Sequence, residues 1–350
     1  MKAIVCHAPE DLRVQSFDEE PLGAQQLAVR VAYGGICGSD LHYFKHGGFG
    51  TVRIQEPMAL GHEVSGIVSA VGKDVKKFVA GQRIAISPSR PCGQCMYCQK
   101  GHHNHCLDMR FYGSAMRFPH VQGAFREQLI IDASQAHPLS DSLSLSQAAL
   151  AEPLSVGLHA IQRAGSVFGQ QVLVTGCGPI GALLIAGLRR AGAARIVAVD
   201  LSDKPLACAR AMGADEVINL SQQPKALEAF AANKGTFDVM FEASGSDRAL
   251  RSGLDVVRPR GVIVTIGLGG EAQIPFNQLV AKELELRGTF RFHEEFAVAV
   301  RFLNEGLIDG RPVISHIMDL SQAQQAFEMA CDKSQAMKVQ INFGAENTTA

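Results

Sequence analysis

Apolar residues follow two different patterns along the chain, and the pattern changes near residue 153. Before that point, short segments rich in valine, isoleucine and glycine, such as 63–71 and 78–86, are typical of strands separated by glycine turns. Helical periodicity is nearly absent from this part. The pattern therefore predicts a strand-rich domain, a small barrel or sandwich, over residues 1–152.

After residue 153, apolar runs alternate with alanine-rich amphipathic stretches. The runs predicted to be strands are Gln171–Thr175, Arg195–Val199, Glu216–Ile218, Phe237–Phe241, Gly261–Ile266 and Glu285–Phe290. Such alternation implies a parallel sheet covered by helices on both faces, because each crossover must travel back over the sheet. We therefore predict an α/β fold with a doubly wound, nucleotide-binding domain over residues 153–289.

The last part of the chain, residues 290–350, is too short to form a domain alone. It begins with a helix-like stretch, 295–305, and continues into a mixed segment, 312–343. We expect it to return to the N-terminal domain, with 347–350 as a frayed end.

Composition and charge exclude several classes of partner. The 350 residues contain 33 Lys and Arg against 34 Asp and Glu, so no net field attracts nucleic acid or anionic lipid. No apolar run reaches the ~20 residues of a membrane span, and residues 1–10 lack a signal-peptide core. Nine cysteines, four of them crowded into 92–106, favour a reducing cytoplasm over a disulfide scaffold.

A glycine-rich motif follows the first predicted strand of the second domain. Gly176, Gly178 and Gly181 form a G-x-G-x-x-G pattern, with Pro179 and Ile180 opening the helix that follows. The glycines allow a tight turn, a close approach to a pyrophosphate and close packing of helix on strand. The helix N-terminus adds unpaired N–H groups and a positive dipole.

Asp200 ends the second predicted strand of this domain. A carboxylate at this position accepts hydrogen bonds from both ribose hydroxyls and repels a 2′-phosphate, and no arginine follows it directly. The motif and Asp200 together predict NAD as the cofactor. The alternative is a glycine-rich turn beside an ordinary surface acid.

Four cysteines lie within fifteen positions, at Cys92, Cys95, Cys98 and Cys106. Four thiolates can enclose one zinc ion tetrahedrally and leave no open coordination position, so this zinc is predicted to be structural. The alternatives are a redox pair or exposed free thiols. A histidine of the same loop, His102, His103 or His105, could also replace Cys106 as the fourth ligand.

Several candidate metal ligands of the first domain lie far apart in the sequence, and only a family resemblance connects them. The segment Gly61-His62-Glu63, with Gly66, Gly72 and Val75 after it, resembles the signature of zinc-containing medium-chain alcohol dehydrogenases. The four-cysteine loop and the glycine motif follow in that family's order, so the resemblance covers essentially the whole chain. It implies a GroES-like catalytic domain that carries both zinc sites and a Rossmann domain that binds NAD.

The resemblance also implies the catalytic residues. Cys37, His62 and Glu63 would bind a zinc ion with one open position, which acts as a Lewis acid on a hydroxyl group. Glu152, where alcohol dehydrogenases proper usually have cysteine, resembles the sorbitol dehydrogenase branch and would be an alternate or outer ligand. The resemblance places Ser39 and His42 in a proton relay, and Asp40 would steady His62.

Further contacts follow from the same resemblance. Tyr43, Glu152, Arg291 and Phe292 fall at substrate-contact positions, with Phe292 replacing the usual tyrosine. If the substrate is a sugar acid, Arg291, Arg110 or Arg117 could bind its carboxylate. Other residues expected to contact the cofactor are Ile266, Gly267, Leu268 and Thr289, together with Arg291.

The expected activity is the NAD-linked oxidation of a secondary hydroxyl in a sugar acid or polyol, with one catalytic and one structural zinc ion. The family implies a homodimer or homotetramer. Two other classes of function are conceivable: a zinc-ribbon interaction module, and a cofactor-bound scaffold that has lost catalysis. Near-zero net charge argues against the first, and the presence of Cys37, Ser39, His42, His62 and Glu63 together argues against the second.

Overall fold

The computed structural model describes residues 1–347 and divides the chain close to the change in apolar pattern. One unit contains residues 1–152, 296–332 and the chain from 338 on, and the other contains 153–295 and 333–337. Apart from residue 347, the predicted frayed end lies outside the described residues. The sequence did not predict the short return of residues 333–337 to the second unit.

The elements of the described residues are as follows. The strands are β1 (Lys2–Ala8), β2 (Asp11–Ser16), β3 (Gln26–Gly35), β4 (Gly48–Phe49), β5 (Val52–Arg53), β6 (Met58–Ala59), β7 (Glu63–Val71), β8 (Arg83–Ile86), β9 (Ser89–Arg90), β10 (Arg110–Phe111), β11 (Gln128–Asp132), β12 (Ala136–Pro138), β13 (Gln171–Thr175), β14 (Arg195–Asp200), β15 (Glu216–Asn219), β16 (Phe237–Glu242), β17 (Val257–Thr265), β18 (Glu285–Gly288), β19 (Ile314–Asp319) and β20 (Lys338–Asn342). The α-helices are α1 (Gly38–His46), α2 (Met96–Gln99), α3 (Leu145–Ala148), α4 (Ala151–Ala164), α5 (Pro179–Arg190), α6 (Asp203–Ala211), α7 (Asp247–Val256), α8 (Phe276–Lys282), α9 (Glu295–Asn304) and α10 (Ala323–Cys331).

The first unit is built around the long strand β3. Its main sheet has the order β12-β8-β7-β3-β20-β19, and β11 also pairs with β3. β3 pairs antiparallel with β7 over most of its length and with β20 at its end. The sheet therefore brings the end of β3, the beginning of β7 and the late strand β20 to one place, and this place carries the candidate metal site.

Two local expectations for the first unit were wrong. The near absence of helical periodicity missed α1, which is nine residues long and begins with a capping box rather than with an apolar stripe. The predicted strand 78–86 is a strand only over β8, because the residues before it turn through Gly81 (φ +87°) and leave Val79 exposed. The strand predicted for 63–71 coincides with β7.

The second unit contains a six-stranded sheet in the order β15-β14-β13-β16-β17-β18, with every neighbouring pair parallel. Each predicted strand is present, although β17 begins earlier than predicted and β18 ends earlier. Leu173, Val197, Met240 and Ile263 belong to one buried cluster on this sheet. The predicted fold class, a doubly wound parallel sheet domain with a strand-rich GroES-like domain, is confirmed.

Within the described residues, no helix is both long enough and apolar enough to cross a membrane.

Candidate active site and metal centres

Asp40 organises the beginning of α1. It is completely buried, and one of its oxygens accepts a hydrogen bond from the backbone N–H of Cys37 at 3.0 Å. The other oxygen accepts one from the backbone N–H of Gly61 at 3.0 Å and lies 3.8 Å from Nδ1 of His62. Because one carboxylate binds both segments, Asp40 fixes Cys37 and His62 relative to each other.

Glu63 and Lys338 form a buried ion pair beside them. Nζ of Lys338, the first residue of β20, lies 2.7 Å from Oε1 of Glu63 and donates a second hydrogen bond to the carbonyl of Ile36 at 3.0 Å. Oε2 of Glu63 is buried and has no hydrogen-bond partner. The lysine thus holds one oxygen and leaves the other available.

The side chains of Cys37, His62 and Glu63 fit a metal ion. One ligand atom from each lies within 4.8 Å of the other two. A thiolate, an imidazole and a carboxylate are ligands that zinc accepts, and three protein ligands leave a fourth position open. The unpartnered Oε2 of Glu63 is a buried acceptor that a cation would satisfy, so the residues present fit the expected zinc ion.

Burial and charge change the acidities in this group. Burial, with the Glu63 carboxylate and Asp40 acting in the same direction, raises the pKa of Cys37 to about 12 despite the opposing charge of Lys338. Burial tends to lower the pKa of Lys338, but Glu63, Cys37 and Glu152 reverse this and raise it. Metal binding must therefore displace a proton from Cys37, and zinc affinity should fall as the pH falls.

Glu152 is buried in the first turn of α4 and does not belong to the three-residue metal group. Burial raises its pKa to about 8, while His62 opposes the shift and Glu63 and Cys37 add to it. These electrostatic couplings place Glu152 in the surroundings of the metal group. Glu152 therefore interacts electrostatically with the metal group without being one of its three members.

The remaining predicted residues of α1 differ in exposure. Ser39 and His42 are partly exposed, and the Ser39 side chain hydrogen-bonds Cys37. The ring centroid of His42 lies 6.1 Å from that of His46. Tyr43 is buried, and its hydroxyl accepts a hydrogen bond from the backbone N–H of Ala115 at 3.0 Å.

The four-cysteine loop brings its four sulfur atoms together. The sulfur atoms of Cys92, Cys95, Cys98 and Cys106 all lie within 4.8 Å of one another, and none of them forms a disulfide. Backbone N–H groups donate to these sulfur atoms, for example from Cys92 to Sγ of Cys106 at 3.2 Å. Such bonds, chiefly from the backbone at Cys98, lower the pKa of Cys95 to about 6. Cys106, rather than a histidine of the loop, completes the group.

The glycine motif lies where β13 passes into α5. Gly176 has a φ of +85°, and Gly178 caps α5 with Pro179 in its first turn. A Cβ atom at Gly181 would lie 2.0 Å from the carbonyl oxygen of Gly176, so this glycine is required for the close packing of helix on strand. A Cβ atom at Gly178 would meet nothing within 4 Å. The open backbone before the helix N-terminus fits a pyrophosphate.

Asp200, at the end of β14, is held by the same loop. One of its oxygens accepts a hydrogen bond from the N–H of Cys177 at 2.8 Å, and the other accepts from Leu201 at 2.7 Å and Ser202 at 3.1 Å. A carboxylate has about four acceptor positions, so Asp200 can still accept a hydrogen bond from a ribose hydroxyl.

The other predicted cofactor residues follow β17 and β18. The N–H of Ile266 donates to the carbonyl of Glu242 at 2.8 Å, and a Cβ atom at Gly267 would lie 2.0 Å from the nitrogen of Gly245. Leu268 is exposed, whereas Oγ1 of Thr289 is buried without a hydrogen-bond partner.

The predicted substrate residues are not all accessible. Phe292 is completely buried, whereas Arg110 is exposed on β10. Arg117 pairs with the Asp108 carboxylate, as expected for a surface ion pair. Arg291 is partly exposed, has a φ of +53°, and stacks on Phe290.

Sequence reasoning missed two residues that contact Glu63 of the metal group, Lys338 and Gly35. A Cβ atom at Gly35 would lie 2.2 Å from Oε2 of Glu63. For Lys338 the signal was weak, because it is a charged residue at the start of a C-terminal segment, Lys338–Asn342, that alternates between polar and apolar residues. For Gly35 there was none, because its neighbour Glu63 is 28 positions away in the sequence.

Comparisons with known proteins agree with this geometry. The family described as "Alcohol dehydrogenase GroES-like domain" matches residues 23–141, and the family described as "Zinc-binding dehydrogenase" matches residues 179–305. The L-idonate 5-dehydrogenase (NAD(P)(+)) of Escherichia coli is 43% identical over 316 residues, which are 90% of this chain and 91% of that protein.

More distant relatives and a solved structure extend the similarity. The sorbitol dehydrogenase of Bacillus subtilis is 34% identical over 346 residues, which cover 97% of each chain. The crystal structure of L-idonate 5-dehydrogenase from Escherichia coli superposes with a TM-score of 0.92 and 41% identity, again over 97% of each chain.

The glycine motif generates a paired prediction. Gly181→Ala should lower the free energy of unfolding by about 1–3 kcal/mol, because its methyl group meets a backbone oxygen. Gly178→Ala should cost less than about 1 kcal/mol, as for an ordinary helix cap. Gly178→Ala should, however, weaken NADH binding at least tenfold, because its methyl group would occupy the open space where the pyrophosphate approaches the backbone. Urea unfolding and NADH fluorescence titration measure both effects, and equal stability losses would contradict the assignment.

A second pair tests the metal group. Gly35→Ala should displace Oε2 of Glu63 and reduce the zinc content of the purified protein from two ions per chain to one. Gly38→Ala is the matched control, because a Cβ atom there meets nothing within 4 Å. Zinc is measured by mass spectrometry, and retention of both ions in Gly35→Ala would refute the role of Glu63.

Proposed function

The chain belongs to the zinc-binding medium-chain dehydrogenases, and we propose that it oxidises the C5 hydroxyl of L-idonate to the ketone of 5-keto-D-gluconate. Two electrons leave the substrate carbon as hydride for NAD, and one proton leaves the hydroxyl. The reverse reduction uses the same groups. The family membership makes the protein an oxidoreductase of polyols or sugar acids, and the particular substrate is the proposal.

The observation that carries the proposal is the level of identity. The chain is 43% identical to an L-idonate 5-dehydrogenase, against 34% to the bacterial sorbitol dehydrogenase. Arg291 supports an acidic substrate, because its guanidinium group can bind a carboxylate through two hydrogen bonds. Arg110 offers a second, more exposed cation.

Cys37, His62 and Glu63 would hold the catalytic zinc, and Cys92, Cys95, Cys98 and Cys106 the structural one. When bound at the first group, zinc supplies a Lewis acid for the reacting oxygen. Asp40 holds the backbone on either side of this group, and Lys338 holds the Glu63 carboxylate. Glu152, buried nearby, would orient the first ligands or the substrate.

Proton release is assigned to Ser39 and His42. The Ser39 hydroxyl would accept the proton of the substrate hydroxyl while releasing its own toward His42, and the partly exposed imidazole of His42 would pass a proton to solvent. Tyr43, whose hydroxyl accepts a hydrogen bond from Ala115, would contact the substrate. Phe292 would contribute packing.

On the cofactor side, the N-terminus of α5 would bind the pyrophosphate and Asp200 the adenosine ribose. The Asp200 carboxylate would repel a 2′-phosphate, which favours NAD over NADP. We also infer from the family resemblance that the chain forms a homodimer or a homotetramer.

A second candidate is a neutral polyol such as sorbitol. The similarity to sorbitol dehydrogenases favours it, because the bacterial sorbitol dehydrogenase aligns with 97% of this chain. A neutral substrate would need no partner for a carboxylate, and Arg291 would then contact the cofactor.

Steady-state kinetics distinguish the two substrates. We expect kcat/KM for L-idonate to exceed that for sorbitol at least tenfold, with NAD preferred to NADP. Arg291→Met should raise KM for L-idonate and leave that for sorbitol within twofold. A preference of the wild-type protein for sorbitol would favour the second candidate over L-idonate.

The ion pair that holds Glu63 gives a stability prediction. Lys338→Met should lower the free energy of unfolding by about 3–5 kcal/mol, because it leaves a buried carboxylate without its partner. The double variant Lys338→Met/Glu63→Gln should recover at least half of this loss. Arg311→Met, which breaks the exposed pair with Asp309, is the control and should cost less than about 1 kcal/mol. Equal losses in Lys338→Met and the control would contradict the argument.

A further inference from the structure

The irregular segment 289–294, between β18 and α9, has a backbone that requires outside support. Arg291 lies in the left-handed region with a φ of +53°, which L side chains rarely adopt. Its guanidinium carbon lies 4.9 Å from the centroid of the Phe290 ring, and the next residue, Phe292, is completely buried. Such a conformation persists only where the surrounding structure imposes it.

Helix α4 provides this support at both ends of the segment. Nδ1 of His159 lies 2.9 Å from Oε1 of Glu295, which follows the segment directly. Nε of Arg163 donates to the carbonyl of Gly288, which precedes it, at 3.1 Å. His159 and Arg163 are four residues apart and therefore lie on the same face of α4.

The residues that form these two contacts are themselves held by further hydrogen bonds. Oε2 of Glu295 accepts the backbone N–H of His293 at 3.0 Å, which fixes the last turn of the segment. Arg287 donates to the carbonyls of Arg163 and Ala164, at 2.8 and 2.9 Å, and so caps the end of α4. Burial works to raise the pKa of Glu295, but the hydrogen bond from His159 and those from the backbone lower it, so this carboxylate is ionised at neutral pH.

We propose that His159 and Arg163, called the anchors below, are positioning residues. They hold the segment 289–294 in the conformation that presents Arg291 to the substrate carboxylate. This inference rests on the proposed function in its assignment of Arg291. A segment ordered before binding loses less conformational entropy when the substrate arrives, so the anchors improve affinity without touching the substrate. Neither anchor takes part in the chemical step.

Hydrogen exchange tests the anchors without any substrate. His159→Leu removes the hydrogen-bonding nitrogen, whereas His159→Asn keeps a nitrogen close to the position of Nδ1. We expect peptides that cover 289–294 to exchange at least tenfold faster in His159→Leu and in Arg163→Met, and close to the wild-type rate in His159→Asn. Arg251→Met is the control, because it breaks the exposed pair with Asp247 on α7. Unchanged exchange in both anchor variants would overturn the proposal.

A double-mutant cycle tests whether the anchors act through Arg291. At saturating NAD, His159→Leu should raise KM for L-idonate about tenfold, with kcat within twofold and KM for sorbitol within twofold. In an Arg291→Met background, the same change should alter KM for L-idonate less than twofold. Equal losses with both substrates, or losses that add in the double variant, would overturn the role of the anchors. If the wild-type protein oxidises no sugar acid, the proposed function fails, and the exchange measurement still decides whether α4 orders the segment.

Discussion

The candidate metal site of the first unit depends on one electrostatic constraint: several acidic side chains lie close together and are buried away from water. Cys37, Glu63, Glu152 and Asp40 are all buried or nearly so. Burial and the repulsion between their ionised forms raise the pKa of Cys37 to about 12 and that of Glu152 to about 8, so ionising all four groups together would oppose folding. Lys338 supplies a permanent positive charge, and the zinc ion that the site fits would supply two more. The positive charge of Lys338, and that of zinc when it is bound, therefore favour the ionised forms of these groups.

Much of the fold could be predicted from the sequence because its signals are local. The strands β13 to β18 are short apolar runs separated by helical stretches, and the parallel direction of neighbouring strands follows from that alternation. The cofactor loop was equally clear, since the strand, the glycines and the helix are contiguous. Asp200 could be placed because a parallel strand ends beside the loop.

The metal group could be predicted only in part, because its members meet through the sheet rather than along the chain. His62 and Glu63 are adjacent, but Cys37 joined them only through the family resemblance. Gly35 and Lys338 were missed, since their importance lies in distances across β3, β7 and β20. The short helix α1 was missed for a related reason, as its start is defined by the Asp40 carboxylate and not by periodic apolar residues.

The pairing of Glu63 with Lys338 joins residues 275 positions apart, and this separation governs the order in which the protein can be completed. During synthesis, β3 and β7 leave the ribosome long before β20, so the carboxylate of Glu63 has no protein counter-ion while the whole Rossmann sheet is being made. The buried pair can therefore form only after the second unit has been synthesised.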